Sequence, residues 1–471
     1  MIKFGTDGWR AEIARDFTFE NLSYAALGSA NYLLNKKNDN LVVIGYDTRF
    51  LSEDFAIETA KIMAEKGIKV IISKEISTTP QVSYFTKIHN ADLGIVITAS
   101  HNPPKYSGFK VKANFGGPSN PEEIAAIEKE VNAVEDSKSS VLLKNIDHYV
   151  DSGMINFLDF KDEFYEYVKK QIDIESIKKS NLKILYDPMF GAGIQNISYV
   201  LDNVDTIHDF HSTNFGNVDH PEPIAECLDE LIGIVKSSNY DYAFATDGDA
   251  DRIGAIDNEG NFVDSHRIFM ILLKYLYEVK GLKGKVAKTV SLTTMVNKYC
   301  EKNNIEIIET PVGFKYIAKL MVDEDILIGG EESGGLSTKL HIPERDGIFN
   351  ALLLLEVMVK RGMSLKELSD ELDSEFAVHR YKRKDLKVTE EIKTRIMNAC
   401  ANSPKDLNGH NVIKIDTKDG FKFFVDGGWL LIRASGTEPL LRIYSEASSL
   451  EMVDKLIDAG LNLNWLNNKY K

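Results

Sequence analysis

What this chain has little of narrows it first. Its 471 residues include only three cysteines, Cys227, Cys300 and Cys400, far apart and odd in number. Neither a disulfide framework nor a cysteine zinc site is available, and reduced, packed thiols in a cytoplasmic protein are expected. Long apolar runs are missing too. The longest, residues 351–359, is short and broken by Glu356, and residues 1–5 carry no apolar leader core, which predicts neither export nor a membrane span. Basic residues are scarce beside acidic ones: 56 Lys and Arg against 71 Asp and Glu leave a net charge of −15. That balance argues against nucleic acid and anionic membranes as partners, so an anionic small molecule must be met by local positive charge. With 43% hydrophobic residues there is material for several cores, and the length allows about three domains of roughly 150 residues, or four smaller ones.

Chemistry concentrates where apolar segments end. Residues 93–98 have the small and β-branched character of a strand buried on both faces, and they run into Ser100-His101-Asn102-Pro103-Pro104. The prolines bar a helix and stiffen the exit, so a serine hydroxyl sits on a rigid rim, suited to a nucleophile or a phosphate carrier. After the apolar residues 242–245 come Asp247-Gly248-Asp249-Ala250-Asp251-Arg252. Alternate residues of an extended chain point the same way, so these carboxylates can converge on one cation, and all-oxygen ligands suit Mg²⁺ rather than zinc. An EF-hand is excluded, because Arg252 and Asn258 stand where its glycine and terminal glutamate belong. The loop Gly329-Gly330-Glu331-Glu332-Ser333-Gly334-Gly335 places Glu331 and Ser333 two apart among glycines, an arrangement that can grip sugar hydroxyls. Finally, Arg433-Ala434-Ser435-Gly436-Thr437-Glu438-Pro439, with Arg442 beyond it, collects donors for a phosphate dianion. Arg10, Lys110, Arg252, Lys315, Arg345, Arg433 and Arg442 supply the local positive charge in or beside these loops.

Together these loops describe phosphoryl transfer on a sugar phosphate. With Phe4-Gly5-Thr6-Asp7-Gly8-Trp9-Arg10, Gly45-Tyr46-Asp47-Thr48-Arg49, His220-Pro221-Glu222-Pro223 and Thr310-Pro311-Val312-Gly313-Phe314-Lys315, the chain resembles the α-D-phosphohexomutases, the phosphoglucomutases and phosphomannomutases, over nearly its whole length. The resemblance implies a phosphate carried on Ser100, Mg²⁺ on Ser100, Asp247, Asp249 and Asp251, and glucose 1,6-bisphosphate as intermediate and activator. It implies catalytic roles for Ser100, His101, Lys110, Arg10 and Arg252. Sugar-phosphate contacts are implied for Gly330, Glu331, Ser333, Gly313, Lys315, His341, Arg345, Arg433, Ser435, Gly436, Thr437 and Arg442. Lys110 and His101 lead as general base, with His341 third. Glu-Glu-Ser at 331–333 favours glucose phosphates, with mannose phosphates also possible. Gly335, where some relatives carry His, counts against a glucosamine phosphate. A Mg²⁺-dependent sugar-phosphate phosphatase using the same serine is the rival activity, and a monomer or homodimer is expected.

Strands 41–46, 182–186 and 286–290, with later ones at 93–98, 242–246 and 326–329, repeat an α/β unit, with Thr79-Pro80 and Thr310-Pro311 each expected to close an intervening strand. The polar run 135–140 loosens the chain, and the next helix is expected only near Asp159. Beyond Leu372, short strands joined by Lys418-Asp419-Gly420 and Asp426-Gly427-Gly428 read as a hairpin sheet, closed by a helix bearing Leu450, Val453, Ile457 and Leu461. The expected fold is α/β: three similar α/β layer domains, then a smaller α+β domain, around a central cleft by the resemblance. Residues 1–150 are expected to carry the serine loop, 151–257 the metal loop, 258–373 the sugar loop and 374–471 the phosphate loop.

Overall fold

The computed structural model describes residues 2–5, 7–36, 40–402, 404–434 and 440–462. The fold is α/β, with three α/β portions followed by an α+β segment. Contacts divide the chain into two compact units, residues 1–285 with 313–368, and residues 286–312 with 369–471.

In the first unit, buried strands carry the loops. Leu41–Tyr46, Lys69–Ser73 and Leu93–Ile97 pair in parallel, as continuous apolar strands flanked by helices do. Tyr106–Ala113 then returns antiparallel to Leu93–Ile97. That return strand is not apparent in the sequence pattern, where Lys110 reads as a loop residue. Its alternation explains it: Phe109 and Val111 enter the core built on the first sheet, while Gly108, Lys110 and Lys112 take the opposite face. Ile155–Leu158 adds a parallel edge to the same sheet. The polar run 135–140 ends helix Pro121–Ser137, and a short helix, Ile146–Asp151, follows earlier than expected. Thr79-Pro80 opens helix Thr79–Ile88 instead of closing a strand. Thr78 Oγ1 accepts from Gln81 N at 3.3 Å and Gln81 Oε1 accepts from Thr78 N at 3.0 Å, a capping box that favours proline in the first turn.

The second α/β portion pairs Ile184–Asp187 parallel to Tyr242–Thr246, which is antiparallel to Ile253–Asp257. The carboxylate loop therefore joins two buried strands. Helix Gly347–Arg361 is apolar on all sides and buried over most of its length. Its lone acid, Glu356, accepts from the Tyr275 hydroxyl at 2.6 Å and pairs with Lys280 at 2.7 Å. No helix of the described residues is long and apolar enough to cross a membrane. All three cysteines are free, and burial pushes the Cys300 and Cys400 thiols up to about 12, the mark of packed, unreactive groups.

The second unit holds the expected hairpin sheet, His410–Asp416, Phe421–Val425, Gly428–Ala434 and Leu440–Ala447. Arg380–Lys387 pairs along Leu440–Ala447, and its run of lysines and arginines hid it from a reading based on apolar alternation. Lys422 is buried within this unit, its Nζ 2.6 Å from the Val290 carbonyl and 3.9 Å from the Trp429 ring centroid. Burial, with the nearby charge of Lys288, lowers its pKa to about 7. A lysine with a depressed folded pKa weakens folding below that value. The penalty fades as pH rises toward the unfolded lysine's range, because the unfolded chain then binds more protons. Lys422→Met removes a penalty of up to about 5 kcal/mol, offset by about 1 kcal/mol for the lost hydrogen bond. Its stability advantage over wild type in denaturant unfolding should be largest below pH 7 and shrink toward pH 10.

Candidate active site

The site assembles within the first unit, where the serine loop and the carboxylate loop meet. Ser100 follows strand Leu93–Ile97 with φ 52°, a left-handed conformation that non-glycine residues seldom adopt. Its amide donates to Thr98 Oγ1 at 2.9 Å, and its Oγ donates to Asp247 Oδ2 at 2.8 Å, with His101 Nδ1 3.4 Å away. The two loops come this close because residue 248 is glycine. A Cβ there would lie 2.3 Å from the Ser100 carbonyl oxygen.

Asp247, Asp249 and Asp251 are fully buried and place one oxygen each within 4.8 Å of the others. Asp247 Oδ1 accepts from the amides of Asp251 and Arg252 at 2.9 and 3.0 Å. Asp249 Oδ2 accepts from Thr79 Oγ1 and Lys110 Nζ, both at 2.6 Å. Asp251 Oδ2 accepts from Arg345 Nη2 at 2.6 Å and Lys110 Nζ at 3.2 Å. Asp249 Oδ1 and Asp251 Oδ1 have no hydrogen-bond partner although both are buried. Buried carboxylate oxygens rarely stay unpaired, and hard oxygens converging in this way fit a divalent cation such as Mg²⁺.

Electrostatics split the triad. Burial, and then the charges of Asp249 and Asp251, push the Asp247 carboxyl well above the usual range. Burial pushes Asp249 upward as well, but the Lys110 ammonium and the Thr79 hydroxyl outweigh it and hold that group well below the usual range. Burial opposes the charge on Lys110, and Asp249, Asp251 and Asp7 overcome it, so its pKa is raised and the ammonium is held charged. Asp7 lies 3.2 Å from Lys110 and 3.3 Å from Arg345. Beside it, Lys112 pairs with Glu344 at 2.7 Å, both side chains fully buried.

The sugar-type loop reaches the triad through Arg345. Its Nη1 donates to the buried Glu331 at 3.2 Å while Nη2 holds Asp251. Its side chain fills the room beside Gly335, where a Cβ would lie 2.3 Å from Arg345 Cδ. Ser333 is half-buried in this loop, and Gly330 ends strand Ile326–Gly330. Arg252 Nη1 donates to Glu222 at 3.0 Å with its Nε 3.9 Å from Asp247, and Arg10 Nη1 donates to Asn102 Oδ1 at 3.0 Å. Gly313, at φ 130°, precedes helix Phe314–Asp323, where Lys315 is half-buried with its pKa lowered by burial against the pull of Asp7.

His341 stands apart from this cluster. Its ring is sandwiched between Tyr167 and Phe349, with Nε2 3.2 Å from Asp346 Oδ2, and its side chain is 1% exposed. In the second unit, Arg433 and Arg442 are direct cross-strand partners. Such like charges repel, and each has its own acid, Asp419 at 2.8 Å and Asp385 at 3.5 Å. Ser435, Gly436 and Thr437 lie outside the described residues. Sequence reasoning missed Thr79, Asp7, Lys112 and Glu344. The Thr78–Gln81 capping signature is the one signal that could have put Thr79 at a helix start.

Comparison with known proteins gives one family in chain order. Phosphoglucomutase/phosphomannomutase alpha/beta/alpha domain I matches residues 1–138, domain II 162–260, domain III 264–376 and the C-terminal domain 384–461. A phosphoglucomutase/phosphomannomutase of Thermococcus kodakarensis is 30% identical over 466 residues, 98% of each chain. A phosphoglucosamine/phosphogalactosamine mutase of Sulfurisphaera tokodaii is 32% identical over 471 aligned positions, 97% of each. The crystal structure of a Thermus thermophilus protein assigned as a phosphomannomutase matches with a TM-score of 0.86 at 34% identity, over 98% of both chains.

The unpaired triad oxygens make a direct test possible. Mg²⁺ should raise the melting temperature above that of the EDTA-treated protein, by the equivalent of about 2.7 kcal/mol at a hundredfold excess over Kd. Asp249→Asn and Asp251→Asn should each abolish that increment in a thermal-shift titration.

Proposed function

Because the chain belongs to the phosphoglucomutase/phosphomannomutase family, we propose that it interconverts hexose 1-phosphate and hexose 6-phosphate, with glucose the preferred sugar. The carrier is a phosphate on Ser100, and the intermediate is a 1,6-bisphosphate. The observation that carries this reading is the hydrogen bond from Ser100 Oγ to Asp247 within a buried, cation-lined carboxylate triad.

Phosphoryl transfer asks little covalent chemistry of the protein and much positioning. The bond from phosphorus to Ser100 Oγ breaks as the bond to the sugar hydroxyl oxygen forms, and the hydroxyl proton leaves to a base. After the bisphosphate turns round, Ser100 Oγ takes its other phosphate, the sugar oxygen so released recovers the proton from the base, and the isomeric monophosphate departs. Mg²⁺ held by Asp247, Asp249, Asp251 and a phosphoserine oxygen would neutralise charge on the transferred group. Lys110, committed by geometry to Asp249, Asp251 and Asp7, is assigned to charge stabilisation together with Arg10 and Arg252. His101, whose Nδ1 lies 3.4 Å from Ser100 Oγ, is assigned as the base. Glu331 and Ser333 are assigned to the sugar hydroxyls, with Gly330, Arg345, Gly313 and Lys315 beside them. Arg433, Ser435, Gly436, Thr437 and Arg442 are assigned to the phosphate that does not react. No sugar contact follows from the packing of His341.

Glucosamine phosphate is the second reading, and the similarity to the Sulfurisphaera tokodaii mutase favours it. Phosphorus NMR with Mg²⁺ and a trace of glucose 1,6-bisphosphate, offering glucose, mannose and glucosamine 1-phosphates in competition, decides between sugars by the order in which they disappear. Growth of inorganic phosphate in place of 6-phosphates would overturn the mutase reading. Ser100→Ala should lose at least about a thousandfold in turnover while still binding glucose 1-phosphate in calorimetry. His101→Asn should lower kcat about a hundredfold or more.

A further inference from the structure

Arg49 lies outside every loop assigned above, yet all its bonding capacity is spent on the serine loop and on one acid. It is 2% exposed. A guanidinium has five N–H groups in a fixed fork, and here each has an acceptor. Nε donates to Asp47 Oδ2 at 3.0 Å. Nη1 donates to the carbonyls of Pro103 and Tyr106 at 2.8 and 2.9 Å. Nη2 donates to the carbonyls of Ser100 and Asn102 at 2.6 and 2.7 Å. The Phe215 ring, itself fully buried, lies 4.9 Å from the guanidinium carbon. Asp47 is fixed in turn by the Arg49 amide and the Ser52 hydroxyl, which donate to its Oδ1 at 2.9 and 2.7 Å.

The loop's own bonds are few: the amides of Ser100, Asn102 and Tyr106 donate to Thr98 Oγ1, the Ala99 carbonyl and the Pro103 carbonyl, and none of them engages the carbonyls of Ser100 or Asn102. Ser100 is in the left-handed region, and Pro103 and Pro104 donate nothing to a backbone ladder. Carbonyl dipoles aimed at one point repel unless a cation occupies it. The same Ser100 carbonyl marks the contact with Gly248, so whatever fixes that oxygen also fixes the distance from Ser100 Oγ to Asp247.

We infer that Arg49 is a positioning residue for Ser100: it never touches the phosphoryl group, and it holds residues 100–106 in the one conformation that presents the serine hydroxyl to the carboxylate triad. The inference rests on Ser100 being the phosphate carrier. Lysine cannot replace it, because an ammonium offers three donors without the planar fork.

The test compares wild type and Arg49→Lys as full chains, using steady-state kinetics with glucose 1-phosphate and hydrogen exchange over residues 99–106. Arg49→Lys should lower kcat about a hundredfold, the cost of a misplaced reacting group, leave KM within about threefold, and speed exchange in that segment. Arg49→Gly should recover at least about tenfold of its lost kcat when guanidinium is added at millimolar concentration, a rescue that general destabilisation would not give. Turnover of Arg49→Lys within about threefold of wild type, or a kcat loss with unchanged exchange over 99–106, overturns the inference. Should the Arg49 variants fail to fold, Asp47→Asn decides. It takes away the carboxylate that fixes the fork through Nε while leaving the arginine in place, so faster exchange over residues 99–106 with a lowered kcat is expected, and unchanged exchange with unchanged kcat there also overturns the inference. A wild-type chain that turns over no hexose phosphate defeats the functional reading alone, since the exchange arm reports the loop without any turnover.

Discussion

Three carboxylates buried within 4.8 Å of one another are the constraint that organises this protein. Each pair of like charges at that separation repels by roughly 3 kcal/mol at the effective dielectric of a protein interior, and burial adds its own penalty. The structure answers from several distant parts of the chain. Lys110 comes from the first sheet, Arg345 from the segment before helix Gly347–Arg361, Thr79 from a helix start, and Arg252 from the loop's own end. Two oxygens are left over. A cluster that is compensated on one side and open on the other is held ready for a cation and for the anion that the cation will meet.

The same demand shapes the backbone. Loops that deliver opposing charges must come nearer than side chains allow, and residues 248 and 335 carry none. At 248 the vacancy admits the Ser100 carbonyl, and at 335 it admits the stem of Arg345. The second case alters how the sugar loop is understood. Arg345 links Glu331 to Asp251, so the group that would touch sugar hydroxyls and the group that would hold metal share one guanidinium. Through that guanidinium a grip on substrate by Glu331 would be mechanically joined to charge compensation at Asp251.

How much of this was legible in the sequence depends on range. Asp247-Gly248-Asp249-Ala250-Asp251 and Ser100 were readable because a buried strand followed by a polar loop is a local pattern, and the hairpins at Gly420 and Gly427 were readable from turn chemistry. Lys110 was found but placed on a loop, because the strand Tyr106–Ala113 buries two lysines and so lacks the expected apolar alternation. Tertiary pairing with Asp249 and Glu344, not propensity, makes that strand possible. His341 is expected near the sugar by the resemblance, and its ring neighbours Tyr167 and Phe349 are invisible at that range. The Lys112–Glu344 pair leaves no mark in either local segment.

That last pair bears on how the chain matures. Lys112 leaves the ribosome early and Glu344 much later, yet neither side chain meets solvent in the finished fold. Until the later segment is made, Lys112 has only Asp7, 3.6 Å away, and lacks the nearer of its two acids, while Lys110 has Asp7 at 3.2 Å and waits for Asp249 and Asp251. The earliest-synthesised portion therefore cannot reach its final packing until residue 345 has emerged, and completion of the site waits with it.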